Sequence, residues 1–502
     1  MRTCEVRAFA ARVGLLLVLV SGTGLRAQTP DKMKDTVREK ALANGMKFIV
    51  MERHEAPVVS CHVYADVGSA QEVYGITGIS HILEHMAFKG TKTVGTKDWP
   101  AESKVLDELD TAYARLEKEK RQLKPDAGRI KALQDEFDRL QSKAKEFVIN
   151  NEYFDMLLRQ GDIGAGAYTN FDATQYIDSL PSNKLEFWMS MASDRFLNPV
   201  FREFYKERDV IMEERRLVVE TQPVMKLLED FFAVAYKVHP YHHFVTGNMS
   251  DLEQIDHQDV KDYFKKYYSP SNLTAAVVGD VKAAEVFAMA ELYFGRVPSG
   301  PRPEPLRSRE PEQWGERRVE VVAQSQPILL VGYHRPEGAH PDDGPLKALA
   351  NILSEGRSSR LWEVLVKKEQ AAAACQNVSG LPGAKYPNII GFLSVPSKDR
   401  TAAESLKLID REIEKIKKEP VSGQELSKYK QSAKKQIIDQ MKDNSQMAGL
   451  LTAYDVIKGG WRRLFEELDR IDRITADDIQ RVAKTYLIRT NRTIGEIIPE
   501  KS

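Results

Sequence analysis

Three cysteines in 502 residues, no net charge and no long apolar run mark this chain, and each absence removes a class of protein. Cys4, Cys61 and Cys375 stand far apart and at no metal-ligand spacing, so a disulfide framework and a thiolate metal site are both excluded. Cys61 and Cys375 read instead as two buried small hydrophobes. Lys and Arg number 73 against 73 Asp and Glu, which leaves no basic field to neutralise phosphates and argues against nucleic acid as a partner. The apolar run Val13–Val20 has eight residues, well short of the roughly 18 that cross a bilayer, and no comparable run follows. No transmembrane segment is therefore expected in the mature chain. Arg2, Arg7 and Arg12 precede that run, and Ser21-Gly22-Thr23-Gly24 follows it, with a cleavage point after Ala27. Residues 1–27 read as an export signal, and the periplasm of a Gram-negative bacterium is the expected location.

What remains is globular in composition, with 42% hydrophobic and 29% charged residues. It is too long for one core and calls for two to four units at about 100–200 residues per domain. Residues 46–51 and 57–65 are short, β-branched-rich and separated by a polar turn, the pattern of two strands, and a helix should follow Gly78. Between 101 and 148, Ile130, Leu133, Phe137, Leu140, Ala144 and Phe147 recur at spacings of three and four. Val105, Leu109, Ala112, Leu116 and Leu123 form a looser copy upstream, with a Lys124–Gly128 turn between them. That is an antiparallel helical hairpin whose charges are its solvated side. Five prolines from Pro298 to Pro311 mark a linker over 298–316 between units at 28–297 and 317–502. The two units echo each other: Ile255, Val260, Tyr267, Asn272 and Thr274 recur as Ile474, Ile479, Tyr486, Asn491 and Thr493, each displaced by 219. A duplicated α+β domain is the reading.

The chemistry concentrates in His81-Ile82-Leu83-Glu84-His85. Side chains four apart share a helix face, so His81 and His85 can aim at one point with Glu84 beside them. Two neutral imidazoles suit Zn²⁺, and a carboxylate that does not bind the metal can take a proton from water, which is the logic of the inverted zinc-protease motif. With 10 His and 73 acidic residues the pattern is expected by chance only about 0.03 times in such a chain. A third ligand must come from elsewhere, and the tract Glu207-Arg208-Asp209-Val210-Ile211-Met212-Glu213-Glu214 is the best source. Glu207 and Glu214, two turns apart, share a face; composition alone does not choose between Glu213 and Glu214. The remaining histidines have no comparable spacing.

These residues also carry a resemblance. Asn44-Gly45-Met46-Lys47, Ala56-Pro57-Val58-Val59 and the stretch from Gly78 through His81-Ile82-Leu83-Glu84-His85 to Phe88-Lys89-Gly90-Thr91 are similar to the pitrilysin-like (M16) metallopeptidases. That family includes insulin-degrading enzyme and the mitochondrial processing peptidase. The likeness runs on through Glu207–Val210, Glu213–Arg216, His239-Pro240-Tyr241, Tyr268–Asn272, Val278-Gly279-Asp280 and Gly356–Leu361. It implies two homologous domains, each a mainly antiparallel sheet with helices packed on one face, with the hairpin as an insertion outside the catalytic framework. It implies one Zn²⁺ per chain held by His81, His85 and Glu214, Glu84 as general base, and Glu207 behind a ligand histidine. Substrate, a peptide or unfolded segment enclosed in a clamshell, would pair with an edge strand at Ala167-Tyr168-Thr169-Asn170.

Three departures stand out. His85 and Glu214 lie 129 residues apart, the hairpin accounting for the excess. Gly166 replaces the Asn usual before the edge-strand Ala, and Val366 and Ala373 stand where many relatives carry an Arg and a Tyr that reach the scissile carbonyl. The second unit has no metal motif. The expected partner is therefore a homologous subunit supplying the Arg and Tyr, a heterodimer, with a homodimer as the alternative. The competing function is a non-catalytic or weakly catalytic scaffold or peptide-binding subunit of a heteromer, against which stand all four of His81, Glu84, His85 and Glu214.

Overall fold

The β-branched segments pair into two mixed sheets in the computed structural model, which describes residues 30–500. The export signal lies outside the described residues. The first sheet contains Val37–Ala41 (β1), Lys47–Glu52 (β2), Val58–Ala65 (β3), Gly166–Thr169 (β4), Thr174–Pro181 (β5) and Leu273–Gly279 (β6), in the order β1-β2-β6-β3-β5-β4. The second contains Arg317–Ala323 (β7), Ile328–Arg335 (β8), Ala372–Asn377 (β9), Asn388–Pro396 (β10) and Arg492–Pro499 (β11), in the order β7-β11-β8-β10-β9. Leaving out β1, the two orders are the same, and in each sheet the one parallel pair is formed by the late strand, β6 on β2 and β11 on β7. The internal echo in the sequence has matching contacts. Asn272 Nδ2 donates to Tyr267 O at 2.8 Å, and Asn491 Nδ2 donates to Tyr486 O at 2.9 Å, each tying a helix end to the strand that follows.

The inner strands of each sheet are buried on both faces. Phe48, Val50, Cys61, Val63, Ala275 and Val277 meet the helices of their own unit, and Leu329, Val331, Ile390, Phe392 and Ile494 do the same in the second sheet. The opposite faces are covered by exchange. Helix Asn444–Ile457, from the second unit, lays Met447, Ala448 and Leu451 on Ile49, Met51, Ala276 and Val278 of the first sheet. Helix Pro223–Ala235, from the first unit, lays Leu227, Phe231 and Phe232 on Ile328, Leu330, Ile389 and Ile497 of the second. Own helices thus occupy one face of each sheet, and a borrowed helix occupies the other. Cys61 and Cys375 are buried and free, one in each sheet.

Helices Trp99–Lys120 and Ala127–Lys145 form the hairpin, capped at their N-termini by the Asp98 and Asp126 carboxylates. Val105, Leu109, Ala112 and Leu116 face Phe137, Leu140 and Ala144 in its buried seam. Leu123 corrects the expected apolar stripe: it lies in the turn after the first helix and is fully exposed. The hairpin is seated on the body by aromatic packing, with the Tyr205 ring 4.4 Å from Tyr113 and 5.1 Å from Phe137. The proline-rich stretch has no helix or strand among the described residues, yet it is strapped down. Glu310 accepts the backbone N–H groups of Lys237, Val238 and His239, and Gln313 Nε2 donates to Arg492 O at 2.7 Å.

Candidate active site

Helix Ile79–Met86 begins at Gly78, which only glycine can fill: its φ is 92°, and a Cβ there would lie 2.8 Å from Leu252 Cδ2. Glu72, fully buried, accepts the N–H groups of Gly78 at 2.8 Å and Ser80 at 2.9 Å, putting a carboxylate at the positive helix end. Ile79, Ile82, Leu83 and Met86 sink into the core, so His81, Glu84 and His85 are left on the open side. The imidazoles sit with ring centroids 4.8 Å apart at 86°.

Helix Phe204–Arg215 brings the carboxylates to them. Glu214 Oε1 is 3.8 Å from His81 Nε2, and Glu214 Oε2 is 3.7 Å from His85 Nε2. One ligand atom from each of the three lies within 4.8 Å of the others, the one such group of His, Cys, Asp or Glu among the described residues. Tetrahedral Zn²⁺ with bonds of about 2.0–2.1 Å sets its donors roughly 3.3 Å apart. The two His–Glu214 contacts are within about 0.5 Å of that spacing and every separation in the trio is within about 1.5 Å of it, so two imidazoles and a carboxylate, the donor types zinc takes, are already gathered and the set fits the metal. His81 Nδ1 is buried without a hydrogen-bond partner, so that ring is oriented by packing and by whatever its Nε2 binds. Between the two adjacent acids geometry decides what composition left open: Glu213 turns away to Arg216 at 3.1 Å.

Glu207, one face-repeat before Glu214, accepts the His85 Nδ1–H at 2.9 Å on Oε1 and the Lys89 ammonium at 2.5 Å on Oε2. In the neutral imidazole that bond puts the proton on Nδ1 and leaves the lone pair on Nε2. Burial alone would raise the Glu207 pKa, but His85 and Lys89 together hold it at about 2. Burial, helped by the neighbouring His85, pushes His81 down to about 4, so His81 is a neutral donor at pH 7. Glu84 is raised by burial, partly countered by hydrogen bonds from the Thr169 hydroxyl and amide and by His85. A carboxylate that holds a proton more readily than usual is suited to general-base work.

Strand β4 lies at the sheet edge and pairs only with β5, leaving one side of Ala167, Tyr168 and Thr169 open except at the Thr169 N–H, which Glu84 accepts. Only the strand limit is corrected: Asn170 lies one residue beyond β4. Its Oδ1 accepts the N–H groups of Asp172 and Ala173, its N–H donates to Ala173 O and its C=O accepts from Ser69 N, so it closes the β4–β5 turn and has its side-chain NH₂ group left over. Gly166 has open space around it. Val366 is half-buried against the second core, and Ala373 is exposed on β9; neither side chain can donate a hydrogen bond. Sequence reasoning does not find Glu72; its signal is an acid just ahead of a helix start. No helix among the described residues is long and apolar enough to cross a membrane.

Comparison with known proteins places this geometry. Residues 47–126 match the model of the insulinase family (peptidase family M16), and residues 254–433 match that of the peptidase M16 inactive domain. Glu207 and Glu214 lie between the two matched stretches. The zinc protease PqqE of Helicobacter pylori is 27% identical over 486 residues, covering 95% of this chain and 96% of its own. The probable mitochondrial-processing peptidase subunit beta of Arabidopsis thaliana is 22% identical over 475 residues, 92% of this chain and 78% of its own. A crystal structure of a protease from Helicobacter pylori superposes with a TM-score of 0.77 at 26% identity, covering 92% of this chain and 99% of that one. With the same two-unit fold, a His-His-Glu group on an inverted motif and two matching models of one family, the chain belongs to the M16 (insulinase) family of peptidases.

Proposed function

We propose that this chain is an exported zinc-dependent endopeptidase acting on peptides or unfolded segments. The observation that carries the reading is the convergence of His81, His85 and Glu214 with Glu84 one residue from His85 on the same helix. His81 Nε2, His85 Nε2 and the Glu214 carboxylate would hold the ion, and Glu207 would orient His85. When bound, Zn²⁺ would supply a Lewis acid that polarises the scissile carbonyl and makes water more acidic. Glu84 accepts the proton released as water attacks that carbonyl and passes it to the departing amine, so the peptide bond breaks without net proton change. Ala167–Thr169 offer an open strand edge on which an extended peptide can hydrogen-bond, beside the Glu84 that Thr169 touches.

The aliphatic side chains at Val366 and Ala373 favour assembly with a homologous subunit that supplies the missing donors, since loss of one oxyanion donor typically costs about 10²- to 10³-fold in rate. The unit limits 28–297 and 317–502, the hairpin at 101–148 and the linker at 298–316 are proposed with it. The test is zinc content by elemental analysis together with cleavage of an unstructured quenched-fluorescence peptide, for the wild type and Glu84→Gln. Zinc retained and cleavage lost on substitution supports the peptidase. Unchanged cleavage in Glu84→Gln removes Glu84 from its role, and zinc bound with no cleavage by the chain, alone or with a homologous subunit, favours the scaffold.

A further inference from the structure

Arg202 uses all five of its guanidinium N–H groups inside the protein. Nε donates to Glu102 Oε1 at 2.9 Å; Nη2 donates to Glu102 Oε2 at 3.2 Å and to Thr91 O at 2.7 Å; Nη1 donates to Lys89 O at 2.6 Å and Val94 O at 3.0 Å. The pair is sealed, with the two side chains 1% and 0% exposed. Three segments meet there. Glu102 lies in the first turn of the hairpin, the carbonyls belong to the loop that leaves the His81 helix, and Arg202 sits just ahead of the helix bearing Glu207 and Glu214. Gly90 and Gly95 make room for the guanidinium, for a Cβ on either would come within 2.7 and 2.9 Å of Nη1.

The loop gripped in this way carries Lys89, whose Nζ reaches Glu207 at 2.5 Å, and Glu207 in turn holds His85 at 2.9 Å. Hydrogen bonds on both ends of Lys89, its carbonyl to Arg202 and its ammonium to Glu207, therefore link the hairpin through that residue to the His85 imidazole. A buried ion pair contributes little net stability compared with well-packed apolar residues, so its worth here lies in fixing geometry. We propose that the 101–148 hairpin is part of the metal-site scaffold, with Glu102, Arg202 and Lys89 as positioning residues that hold Glu207 where it orients His85. The proposal rests on the zinc reading above.

The test is zinc affinity of the full mature chain by competition with a chromophoric chelator, with the melting temperature of the zinc-free protein measured alongside. Glu102→Gln is expected to weaken zinc binding about tenfold, and Lys89→Met to do likewise. Because both cut the same chain of contacts, the double variant should bind no worse than the weaker single one. If Glu102→Gln does not give folded protein, Glu102→Asp, which keeps the charge and withdraws it by one methylene, replaces it with the same expected direction. Folded Glu102 variants with wild-type zinc affinity, whatever their melting temperature, overturn the proposal, and so does full additivity in the double variant. A wild type that binds no zinc would overturn the metal reading itself, and the proposal with it.

Discussion

Replacing Glu207 by glutamine alters one charge at nearly constant shape, and the neighbours of its two oxygens make the outcome calculable. Oε1 accepts from His85 Nδ1 at 2.9 Å while Oε2 accepts from the Lys89 ammonium at 2.5 Å. An amide cannot serve both. With its oxygen toward His85 it presses an NH₂ group on the ammonium; flipped, it offers the NH₂ group to the imidazole N–H. Loss of an orienting partner behind a ligand histidine costs about 10- to 100-fold in metal affinity, or roughly 1.4–2.7 kcal/mol, and the donor-on-donor conflict puts this site toward the upper end. The assay is calorimetric titration of Zn²⁺ into metal-free protein at pH 7. Combining Glu207→Gln with Lys89→Met removes the opposing ammonium and should recover part of the loss. A single variant whose Kd stays within about threefold of the wild type would refute the claim that Glu207 positions His85.

Other expectations follow from single features. Glu214→Gln should abolish tight zinc binding in the same titration, whereas Glu213→Gln, at a side chain turned to Arg216, should leave it unchanged. Phe231→Ala removes a ring, 1% exposed, that lies against Gly332 and Gly495 of the second sheet; a loss of about 3–5 kcal/mol is expected, read as a drop in melting temperature. Hydrogen bonding from Arg360 holds Glu425 at about 2, below the ordinary 4.5, against its partial burial. Stability from that pair is therefore complete above about pH 4.5 and is lost as pH falls from there toward 2, and solvent screening limits it to about 1 kcal/mol. Between pH 5 and pH 3 the wild type should lose more of its urea midpoint than Arg360→Met; equal losses would refute the assignment.

Much of the site is legible in the sequence because it obeys local periodicity. His81 and His85 are four apart on one helix, and Glu207 and Glu214 are two turns apart on another, so each pair can be placed on a face without knowledge of any contact. The choice of Glu214 over Glu213 needs the second helix to be docked. The hairpin is legible from its apolar spacing, but the stripe runs one step too far, to Leu123, because periodicity does not register where the chain leaves the helix. Asn170 reads as strand because it follows three strand residues, whereas its short side chain folds back on the turn amides. Neither the Glu102–Arg202 pair nor the exchanged helices can be read from the sequence at all. Their partners lie about a hundred residues or more away, and nothing in an amphipathic stripe names the sheet it will cover.

That exchange makes each half an incomplete protein. Without Asn444–Ile457 the first sheet would turn Ile49, Met51, Ala276 and Val278 to water, and without Pro223–Ala235 the second would turn out Leu330, Ile389 and Ile497. Neither fragment should survive alone in solution, yet the peptide bonds of the proline-rich strap contribute little to holding them together. A protease that nicks the strap should leave a two-piece molecule that sediments, melts and binds metal as one, and separate expression of the pieces should succeed only when both are made in the same cell.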